Sequence, residues 1–131
     1  MTNQELIKRA EEMKPRAYAP YSNFPVGAAL LCEDGTVFTG CNVENGAYSM
    51  SICAERTALV KAVSEGHLQF RAIAVTADTA EYCLPCGACR QMLIEFAPDL
   101  DVLCANKDGD YVCYKLHEML APAFQLQKRD V

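Results

Sequence analysis

The ten residues Leu84–Leu93, LPCGACRQML, place two cysteines at C-x-x-C spacing directly before an apolar-periodic run. The pattern predicts a helix from about Cys86 to Ala97, with both thiols in its first turn and Pro98 just after its end. A pair with this spacing occurs in redox dithiols, in structural zinc sites and in catalytic zinc sites. The residues outside this stretch must distinguish these three chemistries.

Helical and strand patterns alternate on both sides of this stretch. Further helices are predicted after a capping box of Thr2 and Glu5, at about 52–65 and at about 115–120, and strands at 26–31, 37–41, 71–76, 101–105 and 111–114. The last two strands are joined by a segment too short for a crossover helix, so they should be antiparallel. This order predicts a layered α/β domain with a five-stranded mixed sheet.

Turn and cap residues support these boundaries. Asp34-Gly35 reads as the turn of the first hairpin, Ser51 as the N-cap of the second helix and Gly66 as its C-terminal stop. If the last hairpin turns on Asp108-Gly109 with a two-residue loop, Cys104 and Cys113 face each other across the strands. A disulfide is then geometrically conceivable, although we expect reduced thiols.

The composition is that of one ordinary globular domain of 131 residues, with a formal net charge of −5. Basic residues are scattered among acidic ones, which argues against a polynucleotide partner and permits a small neutral substrate. No run is long and apolar enough to span a bilayer, and the N-terminal residues lack the apolar region of a signal peptide. We therefore expect a soluble, cytoplasmic protein with no membrane partner.

A catalytic zinc site needs a third protein ligand, which would come from the other six of the eight cysteines. A closed structural zinc site would need a second C-x-x-C or a histidine pair, but His67 and His117 are far apart and are expected to be surface histidines. Only Cys53, in SICAERTAL, is also expected at a helix N-terminus, where a thiolate is favoured. Glu55, two residues further on, could approach an open metal position without binding the metal.

Four elements in fixed order carry a resemblance to a known family: YSNFPVGAAL, CNVEN, CAERTAL and PCGACRQ, followed by LAPAF near the C-terminus. With them the chain resembles the small cytidine deaminases of the homotetrameric, all-cysteine zinc type. The resemblance implies a three-layer α/β/α cytidine deaminase-like fold whose last strand is antiparallel. It implies one deaminase domain over residues 1–124, followed by a tail at 125–131 that is a candidate for disorder.

The activity that the resemblance implies is zinc-dependent hydrolysis of cytidine and 2′-deoxycytidine to the corresponding uridines and ammonia, in pyrimidine salvage. One Zn²⁺ per chain would be bound by Cys53, Cys86 and Cys89. Glu55 would carry protons between water, the ring nitrogen and the leaving ammonia. Arg56 would offset the thiolate charge through hydrogen bonds to the sulfurs of Cys53 and Cys86.

Substrate-binding roles are implied by the same resemblance. Asn42 and Glu44 would hydrogen-bond a sugar hydroxyl, which selects a nucleoside over a free base. Phe24 would pack against the pyrimidine ring, although a core position would explain it as well. The backbone N–H of Ala54 would bind the base carbonyl.

Other residues would act between subunits of the homotetramer. Gly46, Ala47 and Tyr48 resemble a segment that reaches a neighbour's site, although many family members carry Ala-Ser-Tyr there. Phe124 resembles an aromatic residue near the C-terminus that enters a neighbour's pocket.

Arg90 also belongs to the family pattern. It would support the metal site without binding the metal, by holding the groups around the ligands in place.

Two alternatives stay open at this point. The same zinc chemistry could act on an antibiotic nucleoside of the blasticidin type or on a polynucleotide, although Asn42, Glu44 and the acidic charge favour a free nucleoside. A non-catalytic zinc protein or a thiol-redox protein would instead use Cys86 and Cys89 without deamination.

Overall fold

A five-stranded mixed sheet forms the centre of the chain, of which the computed structural model describes residues 1–129. Its strands are β1 Val26–Cys32, β2 Val37–Cys41, β3 Phe70–Ala77, β4 Asp101–Ala105 and β5 Tyr111–Lys115, in the spatial order β2-β1-β3-β4-β5. β3 and β4 are parallel, and every other neighbouring pair is antiparallel. The mixed sheet with an antiparallel last strand is therefore confirmed.

Helices cover both faces of this sheet. They are α1 Asn3–Glu11, α2 Ala54–Ser64, α3 Gly87–Ile94 and α4 Leu116–Met119, with 3₁₀ helices at Lys14–Arg16 and Tyr48–Met50. Successive strand residues point to opposite faces, so Leu30 packs in the core beneath α2 and α3 while Leu31 packs in the core beneath α1. These two apolar cores produce the three-layer arrangement.

The first helix begins as the sequence predicts. The Glu5 N–H donates to Thr2 Oγ1 at 3.1 Å, and the Thr2 N–H donates to Glu5 Oε1 at 3.0 Å, so the capping box is complete. It satisfies two of the backbone N–H groups that a helix N-terminus leaves without partners.

The start of α2 differs from the prediction. The N-cap is Cys53 rather than Ser51, whose hydroxyl instead accepts a hydrogen bond from the Asn45 N–H at 3.1 Å. Ser51 is therefore used by the preceding loop, and the helix begins at Ala54. Gly66 does end α2 as predicted, with a φ of +91° that favours glycine.

The register of the last hairpin also corrects the prediction. Cys104 pairs with Val112, and Cys113 pairs with Leu103. The reason is that the Asn106 N–H donates to the Asp110 carbonyl at 2.9 Å and closes a loop of three residues, 107–109, with Gly109 at a φ of +83°. A shift of one residue turns a side chain to the other face, so Cys104 is buried and Cys113 is exposed. The two thiols do not face each other, and all eight cysteines are free.

Both α2 and α3 begin at the same end of the sheet. The loop between β3 and α3 crosses the carboxyl end of β4, where the Cys83 N–H donates to the Ala105 carbonyl at 3.0 Å. The carboxyl ends of parallel strands are where α/β folds usually place their sites. Within residues 1–129, no helix has the length and apolar character needed to cross a bilayer.

The chain has no helix or strand from residue 120 to residue 129. Residues 130 and 131, which belong to the predicted tail, lie outside the described part of the chain.

Candidate active site

Three cysteines predicted as metal ligands lie together at the start of α2 and α3. Cys86 Sγ is 3.9 Å from Cys53 Sγ and 3.5 Å from Cys89 Sγ, and all three sulfurs lie within 4.8 Å of one another. Cys53 and Cys86 are the N-cap residues of α2 and α3, and Cys89 lies in the first turn of α3. The first turns of α2 and α3 thus bring the three thiols together in one cluster.

The spacing of the sulfurs fits a tetrahedral zinc ion. Zn–S bonds of about 2.3 Å at tetrahedral angles separate neighbouring sulfurs by roughly 3.8 Å. The measured separations of 3.5 and 3.9 Å bracket that value. Three thiolates leave one coordination position for water, as in catalytic zinc sites.

Arg56 supplies positive charge beside this cluster. Its Nη2 donates to Cys53 Sγ at 3.4 Å, and this hydrogen bond is the main reason why the pKa of Arg56 is raised. The expected bond to Cys86 does not form within residues 1–129, and the buried Nε of Arg56 has no hydrogen-bond partner there. Hydrogen bonds from Cys89 and Arg56 lower the pKa of Cys53 to about 5.

Glu55 lies beside the thiols and is almost inaccessible, with 4% of its surface exposed. Burial raises its pKa to about 7, and the negative charge of Cys53 adds to this effect. A carboxyl group with such a pKa can take up and release a proton near neutral pH, which is the property of a general acid–base catalyst.

A cavity of about 410 Å³ opens onto the cluster. Its lining contains Cys53, Cys86, Ala54 and Glu55 on the side of the thiol cluster and Phe24, Asn42 and Glu44 on the other. The volume lies in the range of small-molecule sites, about 300–1,000 Å³. A larger cleft of about 610 Å³ lies elsewhere, around Phe96, Asp99 and Lys115, and none of the three clustered cysteines lines it.

Asn42 and Glu44 also hold the loop that forms one wall of this cavity. Asn42 donates from Nδ2 to the Phe24 carbonyl at 2.9 Å and accepts the Val26 N–H on Oδ1 at 2.9 Å. Glu44 Oε1 accepts the N–H groups of Tyr21 and Ser22 at 3.0 and 3.1 Å. These bonds hold the loop that carries Phe24, and the side chains of Phe24, Asn42 and Glu44 all line the cavity.

The segment predicted to act between subunits does not line the cavity of its own chain. Tyr48 lines an adjoining cleft that shares Ser22 and Glu44 with the cavity, and its ring lies edge-on to Tyr21 with centroids 6.0 Å apart. Gly46 and Ala47 line neither the cavity nor this cleft.

Phe124 also lies outside the cavity, with its carbonyl accepting a hydrogen bond from Gln91 Nε2 at 3.0 Å. Both Tyr48 and Phe124 are strongly exposed, at 74% and 70%.

Arg90 has a defined place behind the thiol cluster. Its Nε donates to the Pro85 carbonyl at 2.9 Å, and its Nη1 donates to the Met119 carbonyl at 2.8 Å. It therefore joins the residue before Cys86 to the C-terminal segment.

Four cavity residues were not singled out from the sequence: Ser22, Val26, Cys83 and Leu84. Ser22 and Val26 fall within YSNFPVGAAL, and Cys83 and Leu84 directly precede PCGACRQ, so closeness to these motifs was the available signal. Burial raises the pKa of Cys83 to about 12, which keeps this thiol protonated and distinguishes it from Cys53.

The family model and two relatives that match this chain are all cytidine deaminases or their zinc-binding region. Residues 1–105 match the family model described as the cytidine and deoxycytidylate deaminase zinc-binding region. A cytidine deaminase of Sporosarcina psychrophila is 50% identical over 125 residues, which cover 95% of this chain and 92% of that protein. A cytidine deaminase of Halalkalibacterium halodurans is also 50% identical over 125 residues, covering 95% of each chain.

The fold is shared with solved structures. The crystal structure of cytidine deaminase from Burkholderia pseudomallei has a TM-score of 0.92 and 49% sequence identity to this chain. The match covers 95% of this chain and all of that one.

Proposed function

The chain belongs to the family of zinc-binding cytidine and deoxycytidylate deaminases, and on this premise we propose that it hydrolyses cytidine and 2′-deoxycytidine to uridine and 2′-deoxyuridine with release of ammonia. The observation that carries the proposal is the cluster of Cys53, Cys86 and Cys89 with Glu55 buried beside it in a cavity of about 410 Å³. A redox dithiol would need only Cys86 and Cys89. It would not account for the third sulfur or for the carboxyl group.

One Zn²⁺ per chain would be bound by the three clustered cysteines. When bound, zinc supplies a Lewis acid that lowers the pKa of a water molecule and so provides a nucleophile near neutral pH. The all-cysteine ligand set carries excess negative charge, which Arg56 and the N-termini of α2 and α3 offset. Cys53 receives the hydrogen bond of Arg56 and is the thiol whose pKa is lowered.

Glu55 would move the protons of the reaction. It accepts one proton from the attacking water and delivers it to the ring nitrogen next to the amine-bearing carbon. It then takes the second proton of that water from the oxygen that has added to the ring carbon and passes it to the amine, which leaves as ammonia while the oxygen becomes the carbonyl of the uridine. Its burial and its pKa of about 7 allow both protonation states in the same environment.

Nucleoside recognition would use the opposite wall of the cavity. Phe24 packs against the pyrimidine, and the Ala54 N–H, which lies at the first position of α2 and so has no partner within its helix, binds the base carbonyl. Asn42 and Glu44 bind a sugar hydroxyl while their loop contacts hold them in place. The acidic net charge of −5 further favours a free nucleoside over a polynucleotide.

We propose that the site is completed in a homotetramer. Gly46, Ala47, Tyr48 and Phe124 do not line the cavity of their own chain, and Tyr48 and Phe124 expose large apolar surfaces. Exposed aromatic groups beside a substrate cleft are typical of an interaction surface. These residues would reach the site of a neighbouring subunit.

Residues 1–124 would form the deaminase domain, since the last helix ends at Met119 and Phe124 is the last residue given a role. A cytoplasmic location fits eight free thiols, three of which must stay reduced to bind metal. The reaction would serve pyrimidine salvage by recovering uridines from cytidines.

The test is to incubate the purified chain with cytidine, deoxycytidine, cytosine and a short single-stranded oligonucleotide and to measure ammonia release together with bound zinc. We expect release from both nucleosides, none from cytosine, and about one zinc per chain. Ammonia from the oligonucleotide alone would contradict the proposed substrate. A metal-free chain that cycles a Cys86–Cys89 disulfide would contradict deaminase chemistry altogether.

A further inference from the structure

Three side chains that can bind a metal meet at the far end of α2 from the thiol cluster. Cys32 is the last residue of β1, Asp34 lies in the turn after it, and His67 follows Gly66 at the end of α2. One donor atom of each lies within 4.8 Å of the other two. The eleven residues of α2, about 16 Å of helix, separate this group from Cys53.

The backbone fixes the positions of two of these residues. Cys32 belongs to the apolar core beneath α2, so its side chain points to the face of the sheet that this helix covers. Gly66 turns the chain with its positive φ, and the His67 N–H then donates to the Ala62 carbonyl at 3.0 Å. The Phe38 ring contacts the imidazole edge-on, with centroids 5.0 Å apart. His67 is thereby held against the hairpin rather than free on the surface, where it was expected.

Asp34 is held in the same way by the turn. Its Oδ1 accepts the Thr36 N–H at 2.9 Å, and its Oδ2 lies 3.2 Å from His67 Nε2. Nitrogen and oxygen ligands of a tetrahedral zinc ion, with bonds of about 2.0–2.1 Å, are separated by roughly 3.3 Å. His67 Nδ1 is buried and has no hydrogen-bond partner within residues 1–129. Among the described residues, the imidazole ring thus has one polar partner, Asp34, and that partner is itself a potential ligand.

A cavity of about 280 Å³ is lined by all three residues. It gives an ion access to the group and leaves room for water to complete its coordination. One thiol, one imidazole and one carboxylate form a mixed donor set that suits zinc and similar transition metals better than Mg²⁺ or Ca²⁺, which prefer oxygen alone.

We propose that Cys32, Asp34 and His67 bind one divalent transition-metal ion, in a second metal site of the chain. The site is separate from the proposed deaminase chemistry and does not depend on it. It has one sulfur ligand where the first cluster has three, so it should fill only after the first cluster is saturated.

The test adds Co²⁺ to the full-length, zinc-loaded protein under reducing conditions. Co²⁺ binds N, O and S sites more weakly than Zn²⁺ and should therefore leave zinc in the three-cysteine cluster. We expect one equivalent of Co²⁺ to bind by calorimetry and to produce the thiolate-to-cobalt charge-transfer absorption. Zinc released into solution is measured in parallel, so that exchange at the first cluster is recognised.

Substitutions test whether the added Co²⁺ is bound by these residues. Cys32→Ala and His67→Gln should each lose the added equivalent and its absorption, whereas Cys104→Ala, a matched change at another buried cysteine of the same core, should keep both. If Cys32→Ala does not fold, His67→Gln alone decides, since its side chain is outside the core. No charge-transfer band in the wild type, or an unchanged band in His67→Gln, overturns the proposal. Ammonia release from cytidine is a separate readout, so failure of the deaminase proposal is distinguishable.

Discussion

Arg56 Nη2 lies 3.4 Å from Cys53 Sγ, so a guanidinium group directly contacts one sulfur of the thiol cluster. Hydrogen bonds to a ligand sulfur reduce the negative charge that the ligand places on the metal. Arg56 lies in the first turn of α2, three residues after the N-cap Cys53, and residues at this spacing face each other on a helix.

Replacing this arginine should weaken the site without unfolding the chain. For Arg56→Gln we expect zinc affinity or kcat/KM to fall about 10- to 100-fold, the usual effect of losing a group that supports a metal ligand. Zinc competition with a chelator and steady-state kinetics measure the two quantities. Arg71→Gln is the matched control, because Arg71 is exposed and pairs only at the surface. Equal effects of the two substitutions would contradict a specific role for Arg56.

Glu55→Gln separates proton transfer from metal binding. Glu55 is buried beside the cluster and is not one of its ligands, so the amide should keep the zinc content and the fold. We expect kcat to fall by more than about 10²–10⁴-fold, because the other carboxylate that lines the cavity, Glu44, is held on the opposite wall by the N–H groups of Tyr21 and Ser22. Glu65→Gln, at the other end of the same helix, should leave kcat unchanged. Loss of zinc from the Glu55→Gln variant would show that the carboxylate helps to bind the metal.

Gly40 lets α2 approach β2 closely, and any side chain there should disturb the helix. A Cβ atom at position 40 would lie 2.4 Å from the Ala54 carbonyl oxygen and 2.6 Å from the Ala58 nitrogen. Both are backbone atoms, so relief requires a shift of the helix that carries Cys53 and Glu55. We expect Gly40→Ala to lower the free energy of unfolding by about 1–3 kcal/mol, the usual cost of overpacking, and to lower activity as well.

The contrasting substitution is Gly87→Ala at the start of α3. Apart from its chain neighbours and its own helix backbone, no atom lies within 4 Å of a Cβ built there. Alanine is favoured over glycine by about 0.5–1 kcal/mol in the middle of a helix, so the gain at this first position should be at the lower end. Chemical denaturation should therefore show a small gain in stability. A gain for both variants, or a loss for both, would contradict this account of the α2–β2 contact.

Arg90 should act as a positioning residue. Arg90→Gln removes the bridge between the Pro85 and Met119 carbonyls, and we expect a lower melting temperature and a several-fold weaker retention of zinc. Gln91→Ala breaks only the contact with Phe124 and is the comparison that isolates the C-terminal segment. If both variants lose zinc equally, the effect comes from that segment and not from the backbone before Cys86.

The features that the sequence predicted best are those set by neighbouring residues. β2 and β4 have the predicted bounds, and the capping box at Thr2 and Glu5 is present. The features that were predicted wrongly are those for which several nearby residues could play the same part and the tertiary structure decides between them. Ser51 is a good N-cap residue, but the loop before α2 uses its hydroxyl, so Cys53 takes the cap position.

Contacts between residues that are distant in sequence were the hardest to predict. The double use of Asn42, as a cavity residue and as an anchor for Phe24 and Val26, requires a loop sixteen residues earlier to return to it. The group around Cys32 and His67 joins two segments that no local pattern connects. The thiol cluster was predictable because helix starts leave a recognisable signal, and the mixed cluster has no such signal.

The sulfurs of Cys53 and Cys86 come from segments 33 residues apart. A metal held between them closes a loop that contains all of α2 and β3, much as a cross-link would. For a loop of this length, the loss of unfolded-chain entropy corresponds to about 3–4 kcal/mol at 25 °C. Zinc would then cross-link the segment that runs from the start of α2 to the start of α3, about a quarter of the chain. Its removal should expose the residues between β3 and α3 to proteolysis before the rest of the chain.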